Sequence, residues 1–210
     1  MNILCCLLTL SFAALSAFGQ GSLQFNGVGG PFVYGVDPAD PTSRVLSFPR
    51  EKLAGDGYSA QLFWGLTGTP EASLEPVTTT PWHFKEGTSA GQIDLGTLSS
   101  SRFVFQGALG GTKVSLQFRA WDNRGGSVTT WAQVLKDNTV PRGMSESITN
   151  YELSGVDADN APHIGSGNLA KSGLSSFGLY LVPEPSIIAI SLLGLGALLR
   201  RRRDRVGAGH

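Results

Sequence analysis

Apolar and polar residues alternate with a period of two along much of the middle of this chain. The clearest run is Lys113-Val114-Ser115-Leu116-Gln117-Phe118-Arg119-Ala120-Trp121. In an extended strand, Val114, Leu116, Phe118 and Ala120 point one way, and Ser115, Gln117, Arg119 and Trp121 the other. Related patterns predict strands over 22–26, 31–34, 58–65, 92–95, 102–105, 127–134 and 172–181. A few residues after Thr130 also fit a short helix. Gly, Pro, Asn, Asp and Ser cluster between these segments, as in Asp37-Pro38-Ala39-Asp40-Pro41 and Asn123-Arg124-Gly125-Gly126, and supply turns. The expected fold is all-β: an antiparallel β-sandwich or jelly roll whose strands have one buried and one wet face.

Both ends break the alternation. Residues 3–18 are almost continuously apolar and lead into Ala17-Phe18-Gly19. Small residues at −3 and −1 predict a signal helix over 1–19, cut by signal peptidase before Gln20. Cys5 and Cys6 are the only cysteines and fall inside that leader. A mature chain would therefore have no disulfide, no thiolate nucleophile and no Cys-ligated metal. At the other end, residues 187–199 carry no charge and precede Arg200, Arg201, Arg202 and Arg203. As a helix this segment would be about 20 Å long, against a hydrocarbon core of about 30 Å. It reads as a short transmembrane helix, strained or transient, with the arginines as a cytoplasmic stop.

Composition sharpens this division. Charged residues make up 15% of the chain and glycine 28 of 210 positions, which favours a loop-rich β protein over a helical one. The formal net charge of zero hides an uneven distribution. Between Gln20 and Pro183 there are 11 basic and 14 acidic residues. That region is mildly acidic and has no basic patch for a phosphate backbone, which argues against nucleic-acid binding.

Candidate chemistry in the middle region is sparse. Gly87-Thr88-Ser89-Ala90-Gly91 matches G-x-S-x-G. A nucleophile elbow needs a strand-to-helix turn, whereas residues 92–95 read as a strand, so a glycine-bounded turn is expected. A serine hydrolase using Ser89 with His83 or His163 is the minor alternative, and no catalytic residue is assigned. No cofactor is required. Asp157-Ala158-Asp159-Asn160 resembles the start of a calcium loop, but Ala161 and Asn168 occupy ligand positions of the EF-hand pattern. Asp157 and Asp159 are kept as an irregular calcium alternative. Trp64, Trp82, Trp121 and Tyr58 could stack on sugar rings if they share an exposed face; otherwise they are core. Trp121 attracts notice because parity places it opposite Val114, Leu116 and Phe118.

The stretch after residue 181 carries a specific resemblance. Val182-Pro183-Glu184-Pro185-Ser186, a short apolar segment containing Leu193-Gly194-Leu195-Gly196, and the arginine run follow in fixed order. The two prolines hold Glu184 in an extended, exposed segment. Residues 182–205 resemble the PEP-CTERM sorting signal of Gram-negative bacteria, with Pro183, Glu184 and Pro185 as the motif and 206–210 as a tail. The resemblance implies recognition and processing by an exosortase, a membrane protease. It also implies an inner-membrane-held intermediate, then release to the cell surface or extracellular matrix, often alongside exopolysaccharide. It says nothing about the 20–181 domain. The expected protein is thus a non-enzymatic exported surface or matrix component, with a carbohydrate-binding module as the alternative.

Overall fold

The computed structural model describes residues 20–24, 32–46, 50–95, 102–157, 162–165, 169 and 173–183. The expected leader, Asp159, Glu184, Pro185, the apolar segment 187–199 and Arg200 to Arg203 lie outside these residues. Among the described residues the regular secondary structure is almost all β-strand, paired mostly antiparallel, with long connecting segments between the strands. No helix among them is long and apolar enough to cross a membrane.

Two long strands form the axis. β3 (Gly55–Leu66) and β8 (Lys113–Asp122) pair antiparallel in continuous register from Tyr58↔Asp122 to Leu66↔Val114. β4 (Glu75–Pro76) and β5 (Trp82–Phe84) add to the free side of β3, and β6 (Ile93–Asp94) continues from β5. β9 (Arg142–Met144) and β10 (Ile148–Glu152) add to the free side of β8. The result is a seven-stranded sheet. β1 (Gln20–Gln24) pairs antiparallel with β7 (Arg102–Leu109) as a separate ribbon. β2 (Val33–Tyr34) pairs parallel with β13 (Phe177–Gly178), and β11 (Gly155–Val156) with β12 (Pro162–His163).

Cross-strand partners share a sheet face, so the register divides the side chains. On one face lie Tyr58, Ala60, Leu62 and Trp64 of β3 with Leu116, Phe118 and Ala120 of β8. These join the main core together with Leu23, Phe103 and Phe105 of the β1–β7 ribbon. Ring contacts fix the ribbon over the sheet: Trp64 meets Phe105 edge-on with centroids 4.8 Å apart, and Trp82 lies 5.3 Å from Phe103. Gly21 of β1 approaches so closely that a Cβ there would stand 2.6 Å from Leu153 and 2.7 Å from the Leu109 carbonyl. Only glycine fits.

The other face carries Ser59, Gln61 and Phe63 of β3 with Ser115, Gln117, Arg119 and Trp121 of β8. The alternation predicts that this face is wet. It is buried instead: Gln117 is 1% and Trp121 0% exposed. The cover is the 71–77 segment, which contains β4, on one side and the 127–140 segment on the other; together they enclose a second cluster of Phe63, Leu74, Trp121, Trp131, Val134 and Val140.

The 127–134 strand expectation also changes. Trp131–Val134 form a single helical turn, α1, instead. Thr130 and Gln133 cap it reciprocally: the Thr130 hydroxyl accepts from the Gln133 amide, and the Gln133 side-chain oxygen accepts from the Thr130 amide at 3.0 Å. The final strand contracts to Phe177–Gly178, followed by a bridge between Tyr180 and Arg142.

Candidate functional site

The second face is not sealed. Between the 71–76 segment, α1 and the strands β3, β8 and β9 lies an open cavity of about 610 Å³. Its walls are mostly apolar, contributed by Phe63, Leu74, Pro76, Ala132, Leu135 and Met144. Thr130 and Glu71 stand at its polar margin, and Arg119 and Trp131 also line it. Leu135 is 58% exposed at the rim although it is a large apolar side chain.

Arg119 is the chemical centre of this cavity. It sits mid-strand on β8, opposite Gln61 of β3 and Met144 of β9, and is 5% exposed. Its guanidinium carbon lies 4.1 Å from the Phe63 ring centroid and 5.3 Å from that of Trp131, in reach of cation–π attraction to both. Nε donates to Gln117 Oε1 at 2.9 Å, and Gln117 Nε2 in turn donates to the Ser145 carbonyl at 3.2 Å. Nη2 donates to the backbone carbonyl of Glu71. Burial pulls the Arg119 pKa below the ordinary arginine value, and the nearby Glu71 charge opposes that pull. Among the described residues one ion pair forms within 4 Å, Arg50 with Asp37 at 3.5 Å. Arg119 therefore sits in an apolar pocket without a carboxylate bonded to it.

The wall on the α1 side is held from beneath. Arg142, buried on β9, donates from Nη1 to the Val134 carbonyl and from Nη2 to Asn138 Oδ1 at 3.1 Å. Trp121 contributes its indole N–H to the Val128 carbonyl at 2.9 Å and packs edge-on against Trp131 at 5.9 Å.

The structure separates most of the residues singled out from sequence. Trp121 is fully buried and Trp82 is 7% exposed, so neither offers a ring face to a sugar. Tyr58, Trp64 and Trp82 share the main-core face, while Trp121 lies on the opposite one. Tyr58 and Trp64 are half-buried. Ser89 closes a 3-10 turn, Gly87–Ser89, in the connection between β5 and β6, not a strand-to-helix elbow. Both glycines of G-x-S-x-G have positive φ, 62° at Gly87 and 85° at Gly91, which accounts for them as turn residues. His83 points outward from β5 with Nδ1 3.0 Å from the Tyr58 carbonyl. No hydrogen bond joins Ser89 to His83, and the His163 side chain lies outside the described residues; among the described residues no group of three His, Cys, Asp or Glu side chains could hold a metal ion. Asp157 is described and half-buried.

Sequence reasoning missed Arg119 because strand parity assigned it to water. One signal was legible: Trp121 shares its parity, and a large indole on a nominally wet face points to a cover. A second was Thr130-x-x-Gln133, the capping-box spacing that starts α1. No protein-family model, curated protein or solved structure matches the chain.

Proposed function

We propose that this is an exported, non-enzymatic surface or matrix protein: a β-sandwich domain between an N-terminal signal helix and a short C-terminal apolar helix, sorted at Pro183-Glu184-Pro185. The observation that carries the reading is where the last backbone pairing among the described residues falls. Tyr180 exchanges hydrogen bonds with Arg142, and the Leu181 amide donates to the Pro41 carbonyl at 2.7 Å. Pro183 follows two residues later and is exposed. A cut at the motif, beyond Leu181, would then remove none of these pairings. In this reading an exosortase processes a membrane-held intermediate and frees the domain to the surface or matrix, near exopolysaccharide.

The test is direct. Pro183, Glu184 and Pro185 are replaced together by alanine in cells that contain the processing enzyme, and the mass of the chain is measured. Retention of the tail at the membrane is expected; unchanged processing refutes the proposal.

A carbohydrate-binding role is the second reading, favoured only by the partial exposure of Trp64 and Tyr58 on one face of β3. A glycan array with and without calcium tests it, and it requires Trp64→Ala to abolish any signal.

A further inference from the structure

The Arg119 cavity has the character of a binding site. Most of its wall is hydrocarbon, and its volume of about 610 Å³ falls within the usual range for small-molecule pockets, roughly 300–1,000 Å³. One strong donor group stands among these apolar walls. Arg119 uses Nε and Nη2 within the fold, and Nη1 has no hydrogen bond from the described residues. Among those residues, the one buried side-chain polar atom sealed from solvent without a partner is Arg50 Nε. Arg119 Nη1 is therefore not sealed from solvent, and Arg119 itself lines the cavity.

The electrostatics select the charge of the occupant. A guanidinium in apolar surroundings without a bonded carboxylate is short of its usual anionic partner. The donors are also pre-set, because Phe63, Trp131, Gln117 and the Glu71 carbonyl fix the plane of the guanidinium. An arriving anion would find little left to order. Glu71, however, lines the same cavity and lies close enough for its charge to act on Arg119. A dianion such as phosphate would meet this second negative charge, whereas a single carboxylate would meet less repulsion. The remaining surface, from Leu74 and Pro76 across to Ala132 and Leu135, suits a hydrocarbon or aromatic body.

We propose that this cavity binds a small monocarboxylic acid with an apolar body, its carboxylate accepting from Arg119 Nη1 and its hydrocarbon lying between Leu74, Pro76 and Leu135. The inference is independent of how the protein is sorted.

The full chain is titrated with 4-phenylbutyrate, with 4-phenylbutanol as the uncharged analogue and inorganic phosphate as the dianion, by calorimetry and tryptophan fluorescence. Saturable one-to-one binding of 4-phenylbutyrate is expected. The alcohol should bind at least about tenfold more weakly, since a hydrogen bond to a charged group is worth that much or more. Arg119→Gln should cost at least about tenfold. Because Arg119 is buried, a second variant guards against misfolding: Ala132 is exposed on the cavity wall, and Ala132→Trp should fill the space and abolish binding while leaving the circular dichroism spectrum unchanged. The proposal is overturned if the acid does not bind, if acid and alcohol bind alike, if phosphate binds more tightly, or if binding survives in folded Ala132→Trp.

Discussion

The two faces of the β3–β8 pair show opposite solutions to burial. On the main-core face, Leu62, Leu116, Phe118 and Ala120 meet the apolar side of a second β ribbon, and each is 1% exposed or less. On the other face, Ser59, Gln61, Ser115, Gln117 and Arg119 are nearly as deeply buried, yet their cover is loops. Loops bring backbone carbonyls, and the polar side chains use them. Gln61 donates to the Thr78 carbonyl, Gln117 to that of Ser145, Arg119 to that of Glu71 and Trp121 to that of Val128. The first face is held by area removed from water. The second is held by matched donors and acceptors, whose net worth is small but whose loss is costly. Loops also pack less completely than a strand ribbon, and the cavity is what remains open.

The sharpest way to break this comparison is on the first face. Phe118→Ala removes a ring that contacts Trp82 at 6.2 Å and lies in the main core. It should cost about 3–5 kcal/mol in denaturant unfolding; a loss near 1 kcal/mol would mean this face is no better packed than the other. On the second face the loss should come from stranded polar groups. Asn123, 2% exposed, donates to the Asp56 carbonyl at 2.6 Å and to Ser59 Oγ at 3.2 Å, and accepts from the Gly126 amide at 3.1 Å. Asn123→Ala should cost about 1–3 kcal/mol, and a neutral result would show that water replaces those bonds. Thr130→Ala removes one half of the box that starts α1 and should cost about 0.5–2 kcal/mol, with the larger effect on the cavity wall, read by hydrogen exchange of residues 131–135.

The smallest effect is a matter of pH. Burial raises the Tyr151 pKa above its ordinary 10.0. The folded state holds that proton more tightly than the unfolded chain. The associated stability is therefore complete below pH 10 and is lost as pH rises through the higher folded value. Tyr151→Phe should flatten this alkaline decline, and an unchanged alkaline transition would remove Tyr151 from the account.

Much of the framework was legible in the sequence because period two is a strong signal where strands are long. The 58–65 and 113–121 patterns became the nine-pair register of β3 and β8. The parity of β8 was correct residue by residue, but the environment of its polar side was not. Parity reports which residues share a face; what lies on that face is decided by distant segments such as 71–77, whose path no local pattern encodes. β5 and β9 escaped notice because three residues cannot display a period, and they exist through pairing to β3 and β8. Residues 127–134 read as a strand from Val128, Thr129, Thr130 and Trp131, yet the Thr130–Gln133 cap outweighed β propensity over one turn. The G-x-S-x-G match was read correctly as a turn, since the strand at Ile93–Asp94 leaves no room for the helix an elbow needs.

The end of the described chain is fastened by backbone bonds in succession: Phe177 to Phe32, Leu179 to Tyr34, Tyr180 with Arg142 and Leu181 to Pro41. Gly143 and Gly178 touch so closely that a Cβ on Gly143 would come within 2.4 Å of the Gly178 carbonyl. Tension applied beyond Pro183 enters the body through this seam. A pull away from the body peels the bonds one at a time from Leu181 backwards, whereas a pull along β13 loads them together in shear. The direction of any such pull sets the force at which β13 lets go.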